Sequence, residues 1–77
     1  MSAGKIDKLV RMANQIGDFY AATPEQEAIE GVATHLRRYW TPKMIREIVA
    51  FADHGGAGLK PLAARAVEAL KQTVTPA

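Results

Sequence analysis

Apolar residues recur at three- and four-residue steps along most of this chain, which is the spacing of amphipathic helices. No segment alternates apolar and polar residues as a half-buried strand does. The pattern therefore predicts an all-α fold, a small bundle of about four short helices forming one domain over residues 1–77, with an ordered core over about 5–72. The first helix should run from about Lys5 to Ala22. Its buried stripe should comprise Ile6, Leu9, Val10, Ala13, Ile16, Gly17 and Tyr20.

Two Thr-Pro pairs are predicted to start the second and third helices. At the first pair, Thr23 is suited to the N-cap, Pro24 to the first helical position, and Gln26 to completing a capping box. Thr41 and Pro42 are suited to the same two positions at the start of a third helix. The predicted buried positions of the second helix are Ala28, Ile29, Val32, Ala33, Leu36 and Tyr39. Those of the third helix are Met44, Ile45, Ile48, Val49 and Ala52.

Glycines are predicted to end the third helix, which should stop near residues 53–56. A glycine just after a helix can adopt the left-handed conformation that closes it. We expect the Gly-rich loop 55–60 to be mobile, Pro61 to start a fourth helix that fades by Thr73, and the tail 74–77 to be mobile. The predicted buried positions of the fourth helix are Leu62, Ala66, Val67, Ala69 and Leu70.

The first helix carries more apolar surface than one face can hold, because Met12 and Phe19 lie beside its main stripe. Asn14 and Gln15 lie within this region, where side-chain amides can meet backbone groups of a neighbour. We predict that Met12, Asn14, Gln15 and Phe19 form a contact strip for a partner. Gly17 is expected to mark a close approach of helices.

The strongest concentration of contact-prone residues lies at the junction of the second and third helices. Aromatic and Arg side chains are enriched at protein interfaces. We expect Trp40, with Tyr39 and Met44, either to anchor a partner or to brace the junction. The basic residues around that anchor would pair with acidic groups of the partner; they are Arg37, Arg38, Lys43 and Arg46.

Two other interpretations of this junction stay open. It could be a solvated helix end around one core Trp, or a nucleic-acid patch. Base readout by a helix-turn-helix requires polar residues at the start of the second helix. Met44 and Ile45 occupy that region here, which weakens the nucleic-acid interpretation.

Composition and charge exclude several kinds of site and indicate the kind of partner. The chain has no Cys, so it offers no disulfide, thiolate nucleophile or Cys-ligated cluster. Residues 1–30 carry three basic and five acidic side chains, whereas residues 31–77 carry seven and three, a polarity that suits docking to an acidic protein surface. We find no catalytic constellation and no metal-ligand spacing. Because we see neither a signal peptide nor a membrane span, we expect a cytoplasmic protein.

The chain resembles the delta subunits of NAD-dependent formate dehydrogenase over residues 8–69. The run Met-Ala-Asn-Gln-Ile and the run Tyr-Trp-Thr-Pro-Lys-Met carry the resemblance together. Shorter matches are residues 19–20, 31–36 and 58–62. The chain departs from the family pattern slightly: Tyr20 and Tyr39 stand where Phe is frequent, Lys43 where Arg is common, and Lys60 where an acidic cap is usual. The fourth helix should therefore start less firmly.

The resemblance implies a small accessory subunit, not an enzyme by itself, that docks on the large catalytic subunit and supports assembly or stability of the complex. It implies that the molybdenum or tungsten pyranopterin guanine dinucleotide, the iron–sulfur clusters, FMN and NAD belong to other subunits. We expect neither a nucleic acid nor a membrane as a partner. Alternatives are a nucleic-acid-binding helical module and an assembly chaperone that leaves the complex. Because apolar residues make up 48% of so short a chain, we predict partial disorder or self-association in isolation.

Overall fold

Four helices joined by short connections make up the fold. The structure is a computed structural model that describes the backbone of residues 2–74 and the side chains of residues 5–71. The helices are α1 (Ser2–Phe19), α2 (Glu25–Tyr39), α3 (Pro42–Asp53) and α4 (Pro61–Val74). Residues 2–74 contain no strand. The predicted all-α class is therefore confirmed, and a proline stands at the start of α2, α3 and α4.

The core is formed by one stripe from each helix. Helix α4 packs mainly on α2 and α3, and α1 contacts all three other helices. The core residues are Leu9, Val10 and Ala13 of α1, Val32, Ala33 and Leu36 of α2, Trp40 at the junction, Ile45 and Ile48 of α3, and Ala63, Ala66, Val67 and Leu70 of α4. Most of the predicted stripe positions are buried or half-buried, so the helical periodicity identified the core faces.

The predicted bounds of the first helix are wrong at both ends. Helix α1 already begins at Ser2, and it ends at Phe19 instead of Ala22. The amides of Tyr20 and Ala21 donate to carbonyls three residues back, at 3.0 and 3.1 Å, and this tighter winding closes the helix. Gly17 is buried, and a Cβ added there would lie 3.7 Å from the backbone nitrogen of Ala63, so α1 and α4 do approach closely at this point.

Only one of the two predicted Thr caps forms. The Thr41 hydroxyl accepts a hydrogen bond from the Met44 amide at 3.2 Å, and α3 begins at Pro42 as predicted. The predicted capping box at Thr23 is wrong. Helix α2 begins at Glu25 with Pro24 at the N-cap position, which leaves Thr23 one residue outside the helix, and no side chain caps this end.

Helix α3 ends in the predicted region through a backbone motif. The Gly56 amide donates to the Phe51 carbonyl at 3.0 Å and the Gly55 amide donates to the Ala52 carbonyl at 3.2 Å, which is a Schellman motif. Gly55 has a φ of 110°, a conformation that a side chain would strain. Helix α4 extends to Val74, one residue past the predicted end at Thr73. Of the predicted tail, residues 75–77 lie outside the described residues.

The side chain of Asn14 on α1 forms two hydrogen bonds with the backbone of the loop 55–60. The Asn14 amide donates to the Gly58 carbonyl at 2.8 Å and its oxygen accepts from the Lys60 amide at 2.9 Å. The expected mobility of this loop stays a prediction. These two bonds set the position of the chain where it enters α4, which Pro61 starts without a Thr cap.

Candidate partner-binding groove

Trp40 belongs to the core and is only 6% exposed. Its backbone is extended at the end of α2, and its amide donates to the Leu36 carbonyl at 2.9 Å. The residue before a proline is confined to extended conformations, so Thr41 continues this path before α3 begins. Of the two predicted roles, this placement supports bracing of the helix junction. Met44, which we expected beside it at a partner, is half-buried and packs against the same core.

Two other aromatic side chains are exposed instead: Phe19 at 83% and Tyr39 at 70%. The prediction that Tyr39 belongs to the buried stripe of α2 is wrong. Large apolar side chains cost free energy in water, so exposed aromatic rings are the type of residue that becomes an anchor when a partner covers it. In this chain the exposed aromatic surface lies on the last turn of α1 and the last turn of α2.

A groove of about 460 Å³ runs along α2 between these two regions. The ring of Tyr20, which lines it, makes an edge-to-face contact with Phe19 at a centroid distance of 5.4 Å. At the other side, the ring of His35 lies 4.7 Å from that of Tyr39. The lining residues are Tyr20, Glu27, Glu30, Gly31, Thr34, His35, Arg38 and Tyr39. We call this feature, together with Phe19, the aromatic groove.

The absence of a side chain at Gly31 lets the ring of Tyr20 pack directly on α2. A Cβ added to Gly31 would lie only 2.6 Å from Cε1 of Tyr20, well inside van der Waals contact. The Tyr20 ring therefore fills the space that any other residue at position 31 would need. This contact fixes the end of α1 against the middle of α2.

The predicted basic cluster is exposed at all four positions, Arg37, Arg38, Lys43 and Arg46. Arg37 donates to the Thr34 hydroxyl at 3.4 Å. Among the side chains that the structure describes, none of the four forms an ion pair within this chain. By contrast, salt bridges join Lys5 to Glu47, Lys60 to Asp18, Arg65 to Glu25 and Lys71 to Asp53. The basic side chains of this cluster, which remain available to a partner, therefore lie in the second half of α2 and the first half of α3.

The predicted contact strip on α1 is divided by the fold. Phe19 and Gln15 are exposed, whereas Met12 is half-buried and packs against the core. Asn14 does meet backbone groups, as expected for an amide beside an apolar surface, but they belong to the loop 55–60 of the same chain. The structure therefore brings only Phe19 of this strip next to the groove.

Sequence reasoning missed most of the groove lining. Glu27, Gly31, Thr34 and Arg38 follow one another at steps of three or four residues, so they share one face of α2. This spacing is visible in the sequence, but it is also typical of an ordinary solvent-exposed helix face. The contribution of Tyr20 could not be found this way because it comes from another helix, and we predicted Tyr20 as part of the α1 core stripe.

The described part of the chain outside the aromatic groove contains a second groove but no cluster that could hold a metal ion. Within residues 2–74, no helix is long and apolar enough to cross a membrane. The described residues contain no group of three or more His, Asp or Glu that could hold a metal ion. A second groove, of about 370 Å³, lies where α1 ends and α2 and α4 begin, and the Lys60–Asp18 salt bridge lines it. The Asp53 carboxylate accepts a hydrogen bond from Lys71 at 2.8 Å, and this bond raises the pKa of Lys71.

Comparison with known protein families identifies a match. The family of NADH-dependent formate dehydrogenase delta subunits, FdsD, matches residues 8–67, most of the chain. Neither a curated protein nor a solved structure matches significantly. The matched segment contains α2, α3, the whole aromatic groove and the residues on which the resemblance rests. The chain belongs to the family of NADH-dependent formate dehydrogenase delta subunits.

Proposed function

We propose that this chain is a non-catalytic subunit that docks on the large catalytic subunit of a cytoplasmic NAD-dependent formate dehydrogenase and supports its assembly or stability. Membership in this family supports the part of the proposal that places the chain in a formate dehydrogenase complex. The observation that carries the docking role is the exposure of two large aromatic side chains, Tyr39 in the lining of the groove and Phe19 beside it. An accessory subunit needs such a surface.

The chemistry of the complex is assigned to other subunits in this proposal. Molybdenum or tungsten held by the pyranopterin cofactor, iron–sulfur clusters, FMN and NAD would carry the reaction and the electrons. Iron–sulfur clusters are held mainly by Cys thiolates. The chain has no Cys, so it cannot supply such ligands. Its contribution would be to keep the neighbouring subunit in a competent state.

Co-expression of the tagged chain with the large subunit tests the docking role. A double variant, Phe19→Ala with Tyr39→Ala, removes both exposed rings. We expect association to weaken by about 2 kcal/mol, a roughly thirtyfold change, if the two rings anchor the interface. The matched control is Asp7→Ala with Lys8→Ala, which changes two exposed α1 residues outside the predicted contact strip and the groove. Full retention of the aromatic double variant would remove the main support for the proposal.

The assembly role has its own readout. Omitting the chain during expression should lower the yield of intact, cofactor-loaded complex, whereas adding it afterwards should restore stability only if it is a lasting component. Subunit stoichiometry in the purified active complex separates a permanent subunit from a chaperone that leaves. An unchanged yield and stability without the chain would contradict the assembly role and leave the docking test unaffected.

A further inference from the structure

The aromatic groove carries opposite charges at its two ends. Glu27 and Glu30 line it towards the start of α2 and Arg38 lines it near the end, with Thr34 and His35 between them. These charges nearly balance, so the groove as a whole selects neither an acidic nor a basic ligand. Its distinguishing feature is the order of the charges, which extends over about 16 Å between residues 27 and 38, at about 1.5 Å per residue. An occupant must present this order in reverse.

The helix that presents the reversed order is α2 itself, turned end for end. Helix α2 contributes six positions to the lining: 27, 30, 31, 34, 35 and 38. They lie in pairs at equal distances on either side of a midpoint between residues 32 and 33. In an antiparallel pair of α2 helices with a twofold axis at that midpoint, each of the six meets another of the six on the second copy. A twofold interface requires a patch that matches itself in this way.

We infer that the aromatic groove of one copy of this chain binds that of a second copy, with the two α2 helices antiparallel. The pairs that face each other, each formed twice, are Glu27 with Arg38, Glu30 with His35, and Gly31 with Thr34. A carboxylate thus meets a guanidinium at both ends of the contact, and the imidazole of His35 can donate a hydrogen bond to Glu30. The inference concerns the free chain and does not rest on the proposed function.

The aromatic rings contribute apolar area to the same contact. The ring of Tyr20 covers Gly31, where an added Cβ would lie 2.6 Å from it, so this large ring faces the small, exposed Thr34 of the second copy. Residue 31 is about 2 Å from the axis along the helix. The twofold axis therefore also brings together the two pairs of Phe19 and Tyr20, whose rings are 5.4 Å apart within each copy. Tyr39 would lie over the first turn of the second α2. The exposed rings of Phe19 and Tyr39 would thereby leave water, which favours association.

The order of the charges selects both the occupant and its direction. In a parallel pair of α2 helices, Glu27 would face Glu27 and Arg38 would face Arg38, so both ends would repel. A segment of the large subunit would fit only if it carried the same order of charges at the same spacing. Helix α2 carries that order in the sequence of this chain, and its lining positions match one another without remainder.

Sedimentation equilibrium of the full chain alone tests this inference, at loading concentrations from about 1 μM to 1 mM. The unmodified chain should show a monomer–dimer equilibrium within that range. Glu27→Arg and Arg38→Glu each place like charges opposite one another twice, so each should raise the dissociation constant of the dimer about tenfold. The matched controls, Asp7→Arg and Lys8→Glu, make the same changes of charge at exposed α1 positions and should leave that constant nearly unchanged.

A charge swap tests the antiparallel register itself. The combined variant, Glu27→Arg with Arg38→Glu, again has opposite charges at both ends of the contact and should regain most of the lost affinity. An equimolar mixture of the two single variants should associate more tightly than either variant alone, for the same reason. Circular dichroism checks that the helices persist in each variant, and the mixture decides the test if the combined variant does not fold.

Each contrary outcome overturns a separate part of the inference. A chain that stays monomeric over the whole range overturns self-association and leaves the groove to the large subunit. If the groove variants weaken a dimer no more than the α1 controls do, the dimer uses another face. If neither the folded combined variant nor the mixture regains affinity, the antiparallel register is wrong. These measurements contain no large subunit, so a failure of the proposed docking function is seen separately, in the co-expression experiment.

Discussion

The chain turns from one helix into the next through Thr-Pro twice, and the two junctions differ in nearly every other respect. At the α2–α3 junction, Thr41 caps the following helix and Trp40 beside it is buried at 6% exposure. At the α1–α2 junction, Thr23 caps nothing, and Phe19, four residues earlier, is 83% exposed. The first arrangement belongs to the core of the fold, whereas the second borders the groove.

The difference teaches that a local motif does not decide which way the neighbouring side chains point. Only Trp40 separates Thr41 from the end of α2, and the extended backbone at 40–41 directs the indole into the core. At the other junction, a turn of three residues separates α1 from Thr23, and Tyr20 is held against Gly31. This arrangement leaves Phe19 facing solvent. The same dipeptide therefore braces the fold in one place and presents an aromatic ring in the other.

The largest expected difference in stability is between the Ala variants of Trp40 and Phe19, the aromatic residues at the two junctions. Trp40→Ala should lower the free energy of unfolding by about 3–5 kcal/mol, because it removes a buried ring and leaves a cavity. Phe19→Ala should change stability by less than about 0.5 kcal/mol, since the ring is largely in water. Urea titration of the isolated chain measures both. Equal losses for the two variants would show that the junctions are not different in the way described.

A methyl group added at Gly31 should disturb the α1–α2 junction from inside the groove. Gly31→Ala places a Cβ at 2.6 Å from the Tyr20 ring, so the ring must move. We expect a loss of about 1–3 kcal/mol, typical of overpacking. Gly17→Ala is the matched control, because its nearest neighbour would be at an ordinary 3.7 Å and Ala favours a helix. Thermal melts compare them; a less stable Gly17→Ala variant would contradict this account.

The connection into α4 extends the comparison to a junction that has Pro but no Thr. Asn14→Ala removes both hydrogen bonds to the loop 55–60, at Gly58 and Lys60, and should cost about 1–2 kcal/mol. Gln15→Ala changes the exposed neighbouring amide and should have little effect. Hydrogen exchange of the Lys60 amide reports the loss directly. Unchanged protection of that amide in Asn14→Ala would mean that the loop is held by other contacts.

The smallest expected effect is the difference in stability between the Ala variants of Thr41 and Thr23. Thr41→Ala removes a hydrogen bond to the Met44 amide and should cost about 1 kcal/mol, the usual value for an N-cap. Thr23→Ala should be nearly neutral, because that hydroxyl caps no helix. Paired urea titrations resolve a difference of this size. A comparable loss from Thr23→Ala would restore the capping box that the sequence predicts.

The sequence predicted the helices well because periodicity is a local property. The positions of α2 and α3 agree with prediction to within about a residue, since a proline and the apolar spacing act within a few residues. The end of α1 was misplaced because three turn residues remain compatible with a helix by propensity. The capping box failed for a similar reason: a shift of one residue in the start of α2 moves Thr23 out of reach.

The candidate site was only partly predictable. Phe19, Tyr39 and the four basic residues were predicted as partner-binding, and all six are exposed. Trp40 was the expected centre, and the fold places it in the core. Asn14 was expected to meet a partner, and it binds a loop 44 residues away. Such long-range contacts have no signature in the spacing of one helix.

The sequence by itself determined the all-α class, the helix starts at prolines and the excess of basic charge after residue 30, because these depend on composition and on spacings within a turn or two. The tertiary structure alone decided which aromatic rings face inward and that Tyr20 of α1 meets Gly31 of α2. Side-chain environments depend on how separate helices pack against each other. The aromatic groove, with acidic and basic ends along α2, exists only because that packing leaves it open.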